Sequence, residues 1–185
     1  MSQKPRSLAN AWMPIVLLSI VLGGLAFFYT RLGAPTWALP VGQTIPTFAL
    51  VNVLKPSEII TDKALLGQPA VLHVWASWCS NCATEVPILQ QIRQRDQKNR
   101  WFGVNFKDNL LNAQQWLETH GDSLGIHLYD PNGVLSYVLG VIGTPETFVL
   151  NCQGKVVYRH AGPLSLELYD STLQPVLEGL TACAS

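Results

Sequence analysis

The sequence predicts an α/β domain carried behind a single membrane-crossing helix, and three observations predict it. Segments of strand and helix character alternate from about residue 47 to residue 180. A stretch without a charged side chain, Ala11 to Tyr29, precedes them. Two cysteines three positions apart, Cys79 and Cys82, stand where an apolar strand gives way to a helix. The chain has 185 residues, 48% of them hydrophobic and 13% charged. That length suits one domain with a real core and roughly thirty or forty residues left over. High apolar content with little charge excludes intrinsic disorder.

Twelve basic side chains balance twelve acidic ones, but unevenly. Lys4, Arg6 and Arg31 are the only charges before Lys55, so residues 1–34 carry +3 and the remainder −3. An acidic body without a basic cluster excludes nucleic acid as a partner. The nineteen residues from Ala11 to Tyr29 would span roughly 28 Å as a helix, close to a hydrocarbon core. Pro14 falls in the first turn, where its missing N–H is harmless. Trp12 and Tyr29 stand near the two ends, as interfacial aromatics do. A cleaved signal peptide has a shorter apolar region, and Leu32-Gly33-Ala34 is a poor cleavage triplet. The reading is therefore a cytoplasmic stub and uncleaved signal anchor over 1–34, a linker over 35–41 and a folded domain over 42–185. Positive charge ahead of the span puts the N-terminus in the cytoplasm. In a bacterium this is a single-pass inner-membrane protein with its domain in the periplasm, where disulfides persist.

The folded part reads as follows. Thr47–Val53 is apolar and strand-like, and Val71–Ala76 reads as a buried central strand. Cys82 to about Lys98 is helical, with Val86, Leu89 and Ile92 on one stripe and a kink expected at Pro87. Trp101–Phe106 is a strand, and Asn112–His120 a helix stopped by Gly121. Asp130-Pro131-Asn132-Gly133 is a turn. Glu146–Leu150 and Lys155–His160 form a hairpin around Asn151–Gly154. Leu166–Leu180 closes the chain as a helix interrupted by Pro175.

The chemistry sits in Trp75-Ala76-Ser77-Trp78-Cys79-Ser80-Asn81-Cys82. A strand followed by a helix puts Cys79 at the helix N-terminus, where free N–H groups and the macrodipole favour a thiolate. Cys82 lies about one turn along the same face, so its sulfur can reach that of Cys79. Cys79 can attack a disulfide, and Cys82 can resolve the mixed disulfide that results. Half of a zinc site is the competing reading of a CxxC. No second CxxC or CxxH follows, and His73, His120, His127, His160, Cys152 and Cys183 show no ligand spacing. A redox pair is expected, with no metal and no cofactor beyond the Cys79–Cys82 disulfide itself.

These residues resemble a known family. WASWCSNC is similar to the WAxWCxxC centre of the thioredoxin superfamily, and Gly140-Val141-Ile142-Gly143-Thr144-Pro145-Glu146-Thr147-Phe148 resembles the GVxGxPETF segment of the CcmG/DsbE family. Gly103–Asp108, Tyr129–Gly133 and Tyr158–Leu164 extend the resemblance in family order over most of residues 42–180. One departure is Ser80-Asn81, which lacks the proline common between the cysteines of relatives. The resemblance implies a thioredoxin fold, a central mixed sheet flanked by helices, with N-terminal and central insertions. It implies a membrane-anchored periplasmic thiol reductase of cytochrome c maturation. Its substrate would be apocytochrome c, its electron donor a membrane protein of the DsbD/CcdA type, and its neighbours the haem-ligation machinery. Another anchored thioredoxin of the ResA/TlpA kind, or a non-enzymatic apocytochrome-binding module, is the alternative.

The resemblance also assigns residues. The Thr144-Pro145 bond is expected cis, opposite the dithiol, with Trp78, Thr144, Pro145 and Glu146 around a substrate groove. Glu146 is expected at its rim, unless it is merely a solvated carboxylate at a strand end. Glu85, one turn beyond Cys82, reads either as a redox-tuning carboxylate or as a helix-N-terminal Glu favoured by the dipole. Negative charge near Cys79 raises its pKa and favours the disulfide, which makes the dithiol a reductant. His73 on the central strand reads as a structural histidine, with proton transfer to Cys82 as the other reading. Cys152 and Cys183 read as spectator thiols rather than a second disulfide.

Overall fold

The computed structural model describes residues 12–31 and 41–180. The charges Lys4 and Arg6, nearly all of the expected linker, and Cys183 lie outside the described residues. The chain divides into two units, Met1–Thr36 and Trp37–Ser185.

In the first unit, helix α1 runs from Met13 to Arg31. Its large apolar side chains from Met13 to Leu25 are exposed, as is Phe27. The side chains of Ala26 and 28–31 are not among those described. Over the described residues alone, no helix is long and apolar enough to cross a membrane.

The second unit is built on a five-stranded sheet in the order β5-β4-β3-β6-β7. These strands are β3 (Ala70–Trp75), β4 (Arg100–Phe106), β5 (Ile126–Asp130), β6 (Glu146–Leu150) and β7 (Val156–Ala161). β3, β4 and β5 pair in parallel, while β6 and β7 add antiparallel, so the sheet is mixed. A hairpin of β1 (Ala49–Val51) and β2 (Ile59–Thr61) precedes them. Every residue of β3 is buried, as a central strand between two helical layers requires. Its side chains alternate: Leu72 and Val74 enter one core with Phe102, Leu128, Leu135 and Phe148, while Val71 enters the opposite core with Leu89, Ile92, Tyr169 and Leu173. Period two sends His73 to the second face, that of Val71.

Helix α2 (Ser80–Arg95) lies on this second face and buries Cys82, Glu85, Val86, Leu89 and Ile92. The burial of Glu85 departs from the apolar stripe read from the sequence. Helix α3 (Leu110–His120) starts at Asn109, whose side chain accepts from the N–H groups of Leu111 and Asn112, and stops at Gly121, with φ of 89°. The closing helix is continuous but not uniform. A short α5 (Leu166–Leu168) passes through a π-turn at Tyr169–Leu173 into α6 (Gln174–Gly179). Pro175 has no N–H to return to the preceding turn, which gives the ladder its reason to widen there.

Two elements have weak sequence signals. β5 carries His127 and Asp130, so it lacks an apolar pattern, yet both are buried because both find partners. His127 Nδ1 accepts from Trp75 Nε1 at 3.0 Å, and Asp130 accepts from the N–H and hydroxyl of Ser136 at 2.8 Å. Ser136 belongs to α4 (Val134–Val138), a single turn after the expected Asp130–Gly133 turn. Gly103 has a packing reason: a Cβ there would strike the His127 ring and Trp75 Nε1.

Cysteine chemistry supplies one correction. Cys152 was expected as a spectator thiol, but it is disulfide-bonded, and no described cysteine is free. It follows the β6 strand, in the tight hairpin to β7.

Candidate active site: a dithiol between a helix start and a cis proline

Cys79 is the N-cap of α2 and Cys82 is in its first turn, so both stand at the carboxyl end of the central strand. They form a disulfide, and Cys79 Sγ also accepts from the Cys82 N–H at 3.1 Å. The cap position explains the spacing. Helix N-termini leave N–H groups without intrahelical partners, and a sulfur placed there meets them and the positive end of the dipole. In this oxidised form Cys79 is 6% exposed and Cys82 2%, so neither is open, and Cys79 is the more accessible.

The loop before Cys79 is held by a residue that the motif reading missed. Asp108 accepts from the N–H and hydroxyl of Ser77 at 2.6 and 2.7 Å, from the Asn105 side chain and from the Asn109 N–H. It ends the Gly103–Asp108 segment quoted above, so the signal was present without a role. Trp78 stays 57% exposed and donates to the Lys107 carbonyl at 3.0 Å.

The Thr144-Pro145 bond is cis. Pro145 is buried, and an open groove beside it is lined by Asn81, Ile142, Thr144, Glu146, Ala161 and Pro163, among others. Trp78 is not in that lining. Ile142 is 75% exposed at the lip. The groove therefore joins the dithiol helix, through Asn81, to the cis-proline loop.

Glu146 lines the groove but is not the solvated strand-end carboxylate of the bland reading. It is 1% exposed, with both carboxylate oxygens held by partners. Oε1 accepts from the N–H groups of Ile142 and Gly143, and Oε2 faces Arg159 at 2.9 Å. Arg159 also donates to the Gly140 carbonyl. The carboxylate is neutralised and acts as a clasp on the cis-proline loop.

Glu85 is the charge-bearing group left beside the pair. It is 2% exposed, one turn after Cys82, and its Oε1 accepts from the Leu164 N–H at 2.6 Å. Burial raises its pKa to about 7 against the pull of that hydrogen bond. Its Oε2 has no hydrogen-bond partner. Oε2 faces His73 Nε2 at 3.5 Å. Burial, with His127 nearby, lowers the His73 pKa to about 3, so the imidazole is neutral and this contact is not an ion pair. Behind Cys82 lies a small cavity of ≈ 20 Å³, lined by His73, Cys82, Ser123 and His127 among others. Among the described residues no His, Cys, Asp or Glu side chains are grouped as metal ligands.

A disulfide at a helix start, with a cis proline on a groove that reaches the same helix, on a mixed five-stranded sheet, defines a thiol–disulfide oxidoreductase of thioredoxin fold. Comparison with known proteins agrees. The Redoxin family matches residues 40–177. Thiol:disulfide interchange protein DsbE of Tatumella citrea is 36% identical over 89% of this chain and 91% of its own length. DsbE of Vibrio cholerae is 37% identical over 77% and 76%. A crystal structure assigned to DsbE, from Chlorobium tepidum, superposes with a TM-score of 0.67 at 25% identity, covering 77% of this chain and 99% of that one. The chain belongs to the CcmG/DsbE family.

Proposed function

We propose that this oxidoreductase reduces disulfides in apocytochrome c so that haem can be attached. The observation that carries the reading is the segment Gly140–Phe148. It resembles the GVxGxPETF signature of the family in sequence, and it provides the cis proline and the groove beside the dithiol. An extended polypeptide can lie along the backbone before Pro145 while one of its sulfurs meets Cys79.

The cycle follows from thiol–disulfide exchange. The Cys79 thiolate attacks a substrate sulfur, and the other substrate sulfur leaves with the electron pair. Cys82 gives its proton to Glu85 and attacks Cys79, which restores the disulfide and frees the second substrate thiol. A membrane electron donor of the DsbD/CcdA type re-reduces the pair. The apolar helix α1 anchors the domain in a bacterial inner membrane, N-terminus inside and dithiol in the periplasm. Its run of exposed apolar side chains supports this. Haem-ligation proteins are the neighbours expected there.

The experiment is covalent trapping. Cys82→Ala cannot resolve its mixed disulfide, so it should accumulate apocytochrome c on Cys79 in a cell making c-type cytochromes. Recovery of other proteins only, with normal cytochrome levels in a deletion strain, favours a ResA/TlpA-like substrate set. Cytochrome maturation by a Cys79→Ser Cys82→Ser double variant favours a binding module. The direction of flow is tested separately, by equilibrating the pair with glutathione. A potential near about −120 mV, that of a strong oxidant of this fold, overturns the reductant reading.

A further inference from the structure

The interior between the central strand and the dithiol helix holds a polar pair of which the exchange cycle uses only one member. His73 of β3 is 1% exposed and Glu85 of α2 is 2% exposed. His73 Nε2 and Glu85 Oε2 face each other at 3.5 Å, and neither has a hydrogen-bond partner. Two orphaned polar atoms aimed at one another in a core are costly unless they are used, since each forgoes its hydration. At 3.5 Å the link is longer than a formed hydrogen bond, so in the disulfide form it is poised rather than closed.

The other ends of both side chains are tied. His73 Nδ1 lies 3.1 Å from Thr147 Oγ1 on β6, two residues after the cis proline. Glu85 Oε1 accepts from Leu164, next to the groove residue Pro163. With the Thr147 hydroxyl donating to Nδ1, the imidazole proton resides on Nε2 and points at the unpaired carboxylate oxygen. His73 and Cys82 also line the same small cavity.

We propose that His73 is a positioning residue for Glu85: its Nε2–H, oriented by Thr147, closes on the Glu85 carboxylate and holds it ionised and aimed as the proton acceptor for Cys82. The inference rests on the assignment of that proton to Glu85. In the step concerned, the Cys82 thiol proton passes to the Glu85 carboxylate. The Cys82 sulfur then forms its bond to Cys79 as the bond from Cys79 to the substrate sulfur breaks. The substrate leaves as a thiolate, later protonated from water. His73 stays neutral throughout, in keeping with its pKa of about 3. The other titratable groups around the pair are few. Cys82 lies on α2; His127 on β5 is committed to Trp75 and Asp122; His160 on β7 reaches the Pro163 carbonyl.

The test uses the full chain and a chromogenic mixed disulfide. Reduced protein is loaded at Cys79 with one thionitrobenzoate from Ellman's reagent, and release of that group reports the attack by Cys82. Its rate against pH should inflect about one unit below 7, the Glu85 pKa with the link to His73 open. His73→Leu should move the inflection up by about one unit, to about 7, slowing release about tenfold at pH 5. His73→Gln, which returns an N–H donor at the reach of Nε2, should bring the inflection back. His73→Asn, one carbon short, should behave like His73→Leu, and it serves if the leucine variant does not fold. An unmoved inflection in the Leu or Asn variant, or a glutamine variant that fails to restore it, overturns the proposal. Glu85→Gln separates the premise: if the inflection survives there, Glu85 is not the acceptor. If it vanishes there yet stays fixed in the His73 variants, only the role of His73 falls.

Discussion

Glu85 on the dithiol helix and Glu146 after the cis proline are two buried glutamates, 2% and 1% exposed, with opposite fates. Glu146 has two backbone N–H donors on one oxygen and Arg159 on the other, so every lone-pair direction that matters is met. Glu85 has one N–H donor and one oxygen facing a neutral histidine across an open gap. Burial alone therefore does not make a carboxyl reactive. At Glu85 burial raises the pKa to about 7 with a single N–H bond opposing it, which puts the proton within reach of physiological pH.

The difference can be broken from the Glu146 side with the largest effect. Glu146→Gln removes the charge that Arg159 faces and loosens the cis-proline loop. It should destabilise the protein by about 3–4 kcal/mol, as expected when one partner of a buried pair is removed. Urea denaturation measures it, and a loss below about 1 kcal/mol would remove the clasp from the account.

Glu85→Gln should shift stability the other way. The folded carboxyl keeps its proton up to about 7 while the unfolded one releases it near its ordinary 4.5. Its raised pKa thus costs stability as pH rises through that window, by about 3 kcal/mol once ionisation is complete. The amide variant should be more stable than the parent by that order at pH 8, and slower in exchange. A destabilised Glu85→Gln would equate the two glutamates.

A pH series sharpens the contrast with an effect of similar size. His73 is neutral in the fold down to about 3 but protonates near 6.5 when unfolded, so its contribution rises with pH between those values. The Glu85 contribution falls between 4.5 and 7. From about pH 4.5 to 6.5 the two slopes oppose, and the pair leaves the parent protein nearly flat. Glu85→Gln exposes the His73 slope, so stability should climb by about 2–3 kcal/mol across that interval. A flat variant would mean that His73 is not buried neutral.

The smallest test concerns a third carboxylate. Asp108 resembles Glu146 in its full set of donors but is half-buried. Ser77→Ala removes one of four, and about 1 kcal/mol in thermal or urea unfolding is the expected loss.

Much of this molecule was legible in its sequence. The central strand, the dithiol at a helix start, the stop at Gly121 and the hairpin around Asn151–Gly154 follow from period, caps and turn residues, which act over a few positions. The Thr144-Pro145 geometry came from resemblance, since local rules favour trans. The family motifs likewise pointed to thiol–disulfide exchange. The rest required tertiary structure, for a common reason. β5 can bury its polar residues because Trp75 and Asp122 meet His127 and Ser136 meets one oxygen of Asp130, partners that lie up to 52 positions away. Glu146 is a clasp because Arg159 arrives from the next strand. Cys152 is bonded rather than free, which no spacing in the chain discloses. Glu85 meets His73 only because a period-two strand and a helix stripe bring them to one interface. Sequence patterns determine which side chains leave water. Only the assembled fold decides whether each polar group that leaves water finds its partners, and that balance sets what the buried groups can do.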